Sequence, residues 1–159
     1  MVKKDDELIK ILLADDNEND LLLFRKALKE AELNVKLKAV KDGFKLMKEL
    51  YVAGKNFPDI IFLNINMPHQ NGKQCLREIR GNKKFPEIPV VMFCTSVNVM
   101  DMIETFADGA NLYVAKPLFF KNPVAVLQKI FAQNWQENLL KKDKKKFEMF
   151  LAEKIVFGH

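Results

Sequence analysis

Cysteine is scarce in this chain: Cys75 and Cys94 are the only two among 159 residues. Two thiols cannot build a disulfide framework. With histidine limited to His69 and His159, no Cys/His cluster has zinc-site spacing. Long apolar runs are missing too, since none reaches the roughly 18 residues of a membrane helix. The start, Met1-Val-Lys-Lys-Asp-Asp6, is charge-rich and lacks the apolar centre of a signal peptide. Internal repeats and low-complexity segments are absent apart from one lysine-rich stretch. Charge of one sign is in small excess: 26 basic against 21 acidic residues give +5. Residues 141–159, with six lysines and three acids, carry +3 of it. The remaining +2 is no electrostatic footprint for nucleic acid. What is present, 48% hydrophobic and 30% charged residues, suits a folded domain. The expectation is a reduced, cytoplasmic protein of one domain.

Hydrophobic periodicity lays out the elements. Leu8-Ile-Lys-Ile-Leu-Leu-Ala14 reads as a buried strand ending in Asp15-Asp16. Asn17 can cap a helix whose first turn holds Glu18 and Asp20, with Leu21, Phe24, Leu28 and Ala31 at helical spacing. Val35, Leu37 and Ala39 alternate with Lys36 and Lys38, the pattern of a strand wet on one face and near a sheet edge. Asp42-Gly43 starts a helix with Phe44, Met47, Leu50 and Tyr51 as its apolar stripe. The run that follows Asp59, Ile60–Leu63, and Val90–Cys94 are apolar throughout, as in strands covered on both faces. A helix spans about 73–80, with Cys75, Leu76 and Ile79 inward. A short helix over 99–107 stops before Gly109, and 112–115 is a fifth strand. Asn122-Pro123 opens a last helix that runs to about Leu140 through Val124, Leu127, Ile130, Phe131 and Trp135. Strands alternating with helices predict an α/β fold: a doubly wound, five-stranded parallel sheet with right-handed crossovers.

In such sheets, ligands bind beyond the carboxyl ends of the strands at the switch point of strand order. Strand one ends in Asp15-Asp16, strand three in Asn64, strand four in Thr95-Ser96 and strand five in Lys116-Pro117. With strand order 2-1-3-4-5, these groups converge on one crevice. Paired carboxylates are hard ligands for Mg²⁺. A lysine and a threonine hydroxyl can hold phosphoryl oxygens. This is equipment for phosphoryl transfer, which works by positioning and charge neutralisation. The natural place for a nucleophile is position 64, and it holds an amide.

The chain resembles the receiver domains of bacterial two-component response regulators, in layout the single-domain chemotaxis receiver. The resemblance covers about 7–135. It rests on Asp15-Asp16, Asn64-Ile-Asn-Met-Pro68 with Gly72, Thr95-Ser96, Gly109-Ala-Asn111, Tyr113 and Lys116-Pro117, in that order and spacing. It implies the flavodoxin-like receiver fold of order 2-1-3-4-5. It implies Mg²⁺ held by Asp15, Asp16, the Asn64 side chain and the Asn66 carbonyl. It further implies a phosphate-facing Thr95 and Lys116, a cis peptide at 116–117, and Tyr113 as an aromatic switch. In the family, the position of Asn64 is the aspartate that accepts phosphate. An amide is no comparable nucleophile and removes one negative charge, so the chain should not be phosphorylated and should hold Mg²⁺ weakly. Two origins stay open: a natural pseudo-receiver, or an engineered exchange of aspartate for asparagine.

The expected role is a stand-alone receiver that signals by protein contact and is not itself an enzyme. Its partners would be a histidine kinase or phosphotransfer protein, a downstream target and a second copy as homodimer, with no nucleic acid and no membrane span. A Mg²⁺-dependent phosphoryl-transfer enzyme or hydrolase using the same crevice is the alternative. A flavin module is disfavoured because Asp15-Asp16-Asn17-Glu18 would repel a phosphate. Val97, Val99, Met100, Met102 and Phe106 cannot all face the core on one short helix, so part of that face should be exposed. Residues 136–159 form a basic tail, too short for a DNA-binding output domain. Phe147, Phe150, Leu151 and Ile155 give that tail an amphipathic pattern. Cys75 and Cys94 are expected to be inert buried side chains.

Overall fold

The computed structural model describes residues 8–141, and the amphipathic pattern of Phe147 to Ile155 lies outside them. The elements are β1 (Ile9–Ala14), α1 (Glu18–Glu30), β2 (Val35–Val40), α2 (Gly43–Tyr51), β3 (Ile60–Leu63) and α3 (Gly72–Gly81). They continue as β4 (Val90–Cys94), α4 (Val99–Ala107), β5 (Leu112–Ala115), α5 (Lys116–Phe119), α6 (Pro123–Ile130) and α7 (Trp135–Leu140). All strand pairs are parallel and the order is β2-β1-β3-β4-β5. The doubly wound sheet read from the sequence is the one observed.

The strand patterns follow from where each strand sits. Every residue of β3 and β4 is buried, because helices cover both faces of the sheet centre. Among the described residues β2 pairs only with β1, and its residues alternate between half-buried Val35, Leu37 and Ala39 and exposed Lys36 and Lys38. Alternation also divides the core in two. Leu12, Ile61, Leu63 and Met92 meet Leu46, Leu50, Leu76 and Met102 of α2, α3 and α4. Ile11, Leu13, Phe62 and Phe93 meet Phe24, Leu28, Leu127 and Trp135 of α1, α6 and α7. Phe24 is fully buried, with its ring 4.9 Å from Phe62, 5.4 Å from Phe93 and 5.7 Å from Phe119.

Four details depart from the sequence expectation. The last helix is not continuous to Leu140: α6 ends at Ile130, and α7 starts at Trp135 after Asn134 with φ 62°. The turn keeps Leu127, Ile130, Phe131 and Trp135 on the buried side, so the apolar spacing passes through it unchanged. One turn of helix, α5, follows β5 directly. The stripe of α2 is Leu46, Met47 and Leu50, while Phe44 and Tyr51 are exposed. Phe44 instead stacks on His69, and Tyr51 donates its hydroxyl to Glu78 and packs on Phe85. Finally, no peptide bond among the described residues is cis, 116–117 included. Pro117 lies in the first turn of α5, where a trans proline fits because its missing N–H has no intrahelical partner to lose.

Candidate functional site

The carboxyl ends of β1, β3 and β5 bring one set of polar side chains together. Asp15 follows β1 and is fully buried, and Asp16 beside it is exposed. Lys116 follows β5 and is 3% exposed. Its Nζ lies 2.6 Å from Asp15 Oδ2 and 2.8 Å from Asp20 Oδ2, and 5.3 Å from the centre of the Phe93 ring. Burial works against the lysine's charge, but the two carboxylates outweigh it and raise its pKa. Burial pushes the Asp15 carboxyl up, opposed by Lys116 and by the Asn17 N–H, which donates to Oδ1 at 3.0 Å.

Asn64 is buried at the end of β3. Its Nδ2 donates to the Asn66 carbonyl at 3.0 Å and, more loosely, to Asp15 Oδ1 at 3.4 Å and Asp16 Oδ1 at 3.5 Å. The loop beyond it is folded by local chemistry. Asn71 and Gln74 form a reciprocal cap on α3, and the Gly72 N–H donates to the Ile65 carbonyl at 2.7 Å. A Cβ on Gly72 would lie 2.0 Å from the Asn64 carbonyl oxygen, so the close return of this loop requires glycine.

Asp15, Asp16, Asn64, Asn66 and Lys116 are thus linked, as their positions at strand ends suggested. Thr95 is exposed at the end of β4 and makes no bond to this set among the described residues. Tyr113 is buried, and its hydroxyl donates to the Ser96 carbonyl at 2.9 Å rather than reaching Thr95. Ser96 in turn donates its hydroxyl to Asp101 at 2.6 Å. Asp20 is the member that sequence reasoning missed. In the sequence it carries only the mark of a favourable charge in the first turn of α1. The available signal was its place one turn beyond the cap, where a helix following a strand leans its side chains back over the strand end.

The donor set fits a divalent cation. Asp15 Oδ1, Asp16 Oδ1 and the Asn66 carbonyl are hard oxygens that already converge on one atom, Asn64 Nδ2, and turning the amide would add its oxygen. Among the described residues, no three acidic, cysteine or histidine side chains gather as a metal cluster. No described helix is long and apolar enough to cross a membrane.

Comparison with known proteins gives a consistent picture. The family model for the response regulator receiver domain matches residues 11–128. The chain is 32% identical over 124 residues to response regulator Rcp1 of Synechocystis, covering 76% of this chain and 84% of that one. It is 25% identical over 123 residues to the probable methanogenesis regulatory protein FilR2 of Methanothrix harundinacea, covering 76% and 79%. Among solved structures, the phosphorylated cyanobacterial phytochrome response regulator RcpA superposes with a TM-score of 0.69 at 28% identity, covering 79% and 94%. The Mn²⁺-bound form of Rcp1 gives 0.69 at 30%, covering 80% and 94%.

Proposed function

The chain belongs to the response regulator receiver family of two-component signalling, and on that premise we propose that its crevice is a receiver site whose phosphate-accepting position carries an amide. The orientation of Asn64 carries this reading. Its Nδ2 faces Asp15, Asp16 and the Asn66 carbonyl, so a side chain at position 64 reaches the centre of the crevice. An aspartate there would present a carboxylate oxygen able to attack phosphorus, and the amide has no equivalent. Asp15, Asp16, Asn66 and a turned Asn64 are the residues that would hold Mg²⁺, and the ion would neutralise phosphoryl oxygens. With two carboxylates in place of three, the affinity is low. Lys116 would hold a phosphoryl oxygen from the other side, and Thr95 is free to do the same.

The working mode is contact with other proteins. A histidine kinase or phosphotransfer protein would face the crevice, as for receivers in general. Val97, Val99, Met100 and Ile103 are exposed on and before α4 and offer a face to a downstream target. The Tyr113 to Ser96 bond couples β5 to the loop that carries that face.

The test compares the chain with Asn64→Asp in acetyl phosphate and Mg²⁺, read by intact mass. The expected result is no adduct on the chain itself and a labile gain of about 80 Da, one phosphoryl group, on the variant. In parallel, calorimetric titration should show tighter Mg²⁺ binding by Asn64→Asp. A stable adduct on the unsubstituted chain would overturn the assignment of position 64. An unreactive variant would mark the crevice as a scaffold without transfer chemistry.

A further inference from the structure

The free edge of the sheet carries a groove that the crevice does not use. Among the described residues, β2 is paired on one side only, to β1. Ile9 donates its N–H to the Asn34 carbonyl, and Asp15 donates its own to the Val40 carbonyl. The even-numbered residues of β2 therefore turn their backbone groups toward β1. By the two-residue period of a strand, Val35, Leu37 and Ala39 turn theirs to the open edge. The side chains of Val35 and Leu37 lean toward α1 and, with Leu28 and Leu33, floor a groove of about 280 Å³. Arg25 and Lys29 wall it, four residues apart on α1. Both are exposed and stand in no ion pair among the described residues, and no acidic side chain lines the groove. Lys36 and Lys38 stand exposed on the other face of the same edge, Lys38 paired with Glu49 at 2.8 Å.

We propose that this edge is the docking site of an extended acidic segment of a partner protein, added as a sixth strand beside Val35–Val40 with carboxylates set against Arg25 and Lys29. Strand addition draws its affinity from backbone hydrogen bonds and its selectivity from the side chains flanking them. The backbone groups of Val35, Leu37 and Ala39 supply the first, and Arg25, Lys29 and Lys36, which Glu49 does not neutralise as it does Lys38, supply the second. Charge also selects the occupant. A second copy of this edge would bring Lys36 and Lys38 against their own counterparts. The basic stretch 141–146 has the wrong sign. Lysines deter neutral or basic strands from an open edge and leave an acidic one admissible.

The test titrates the isotope-labelled full chain with a synthetic peptide alternating glutamate and valine, followed by amide resonances. Shifts are expected at 25–29 and 35–40, with slowed hydrogen exchange at Val35, Leu37 and Ala39. Two further peptides carry N-methyl groups at alternate positions, one on each parity. Only the parity that donates to β2 should lose binding. Arg25→Glu combined with Lys29→Glu should weaken binding about tenfold or more. The proposal fails if both methylated peptides bind alike, because no strand then forms. It fails equally if the charge-reversed chain binds as well as the original. Equal competition by an oligonucleotide of the same charge would reduce the groove to a general polyanion patch and also overturn it.

Discussion

Lys116 is the residue on which the crevice depends, because it is the cation facing a fully buried carboxylate. Lys116→Met should therefore cost about 3–5 kcal/mol in chemical denaturation, since Asp15 would be left as an uncompensated buried charge. Adding Asp15→Asn should recover part of that loss, because the penalty lies in the stranded charge. Asp20→Asn should cost less, as Asp20 keeps 16% of its side-chain surface in water and shares the lysine with Asp15. The two thiols make a second prediction at this scale. Burial pushes the Cys75 and Cys94 pKa up to about 12, so neither carries a thiolate at neutral pH. A disulfide reagent should titrate both only after denaturation; rapid labelling of the native chain would contradict this. Asp15, Asn64 and Lys116 were legible because each ends a strand. Asp20 was not, because a first-turn acid has a sufficient explanation in the helix dipole.

Between elements, charge couples α3 to α4. Lys73 Nζ meets Asp101 at 2.7 Å and Glu104 at 2.6 Å, and Arg77 meets Asp108 at 3.3 Å. Lys73 first, and then the Ser96 hydroxyl, hold the Asp101 carboxyl below its ordinary 3.8. In the unfolded chain Asp101 takes up its proton at higher pH than in the fold. Its contribution is therefore complete above 3.8 and is lost as pH falls through the lower folded value. Asp101→Asn should flatten the acid side of the urea midpoint against pH below about 4 and leave its slope at neutral pH unchanged. Strands and helices with one dominant period were legible here: β3 and β4 as apolar runs, α1 as a stripe. The break between α6 and α7 was not, because residues 127, 131 and 135 are four apart and satisfy a continuous helix equally well. The stripe of α2 was misread for a related reason. Phe44 and Tyr51 share the helical spacing of the buried Met47 and Leu50 but find their partners on the surface in His69 and Glu78.

For the whole molecule, one sheet separates two apolar layers and presents different chemistry at different borders. The acidic crevice opens at the carboxyl ends of the strands, and the cationic groove lies along β2. Phe24 sits among rings from β3, β4 and α5, so it joins α1 to the centre of the sheet. Phe24→Ala should cost about 3–5 kcal/mol, lowering the midpoint of a single unfolding transition, and two separate transitions would show that the layers melt independently. The return of the β3–α3 loop has a further bearing. Gly72 is fitted to the main-chain carbonyl of residue 64 and takes no notice of the side chain there. The path of the loop therefore sets no steric condition on the atoms that end side chain 64; what tells an amide from a carboxylate there is the donation to the Asn66 carbonyl, which only the amide can make.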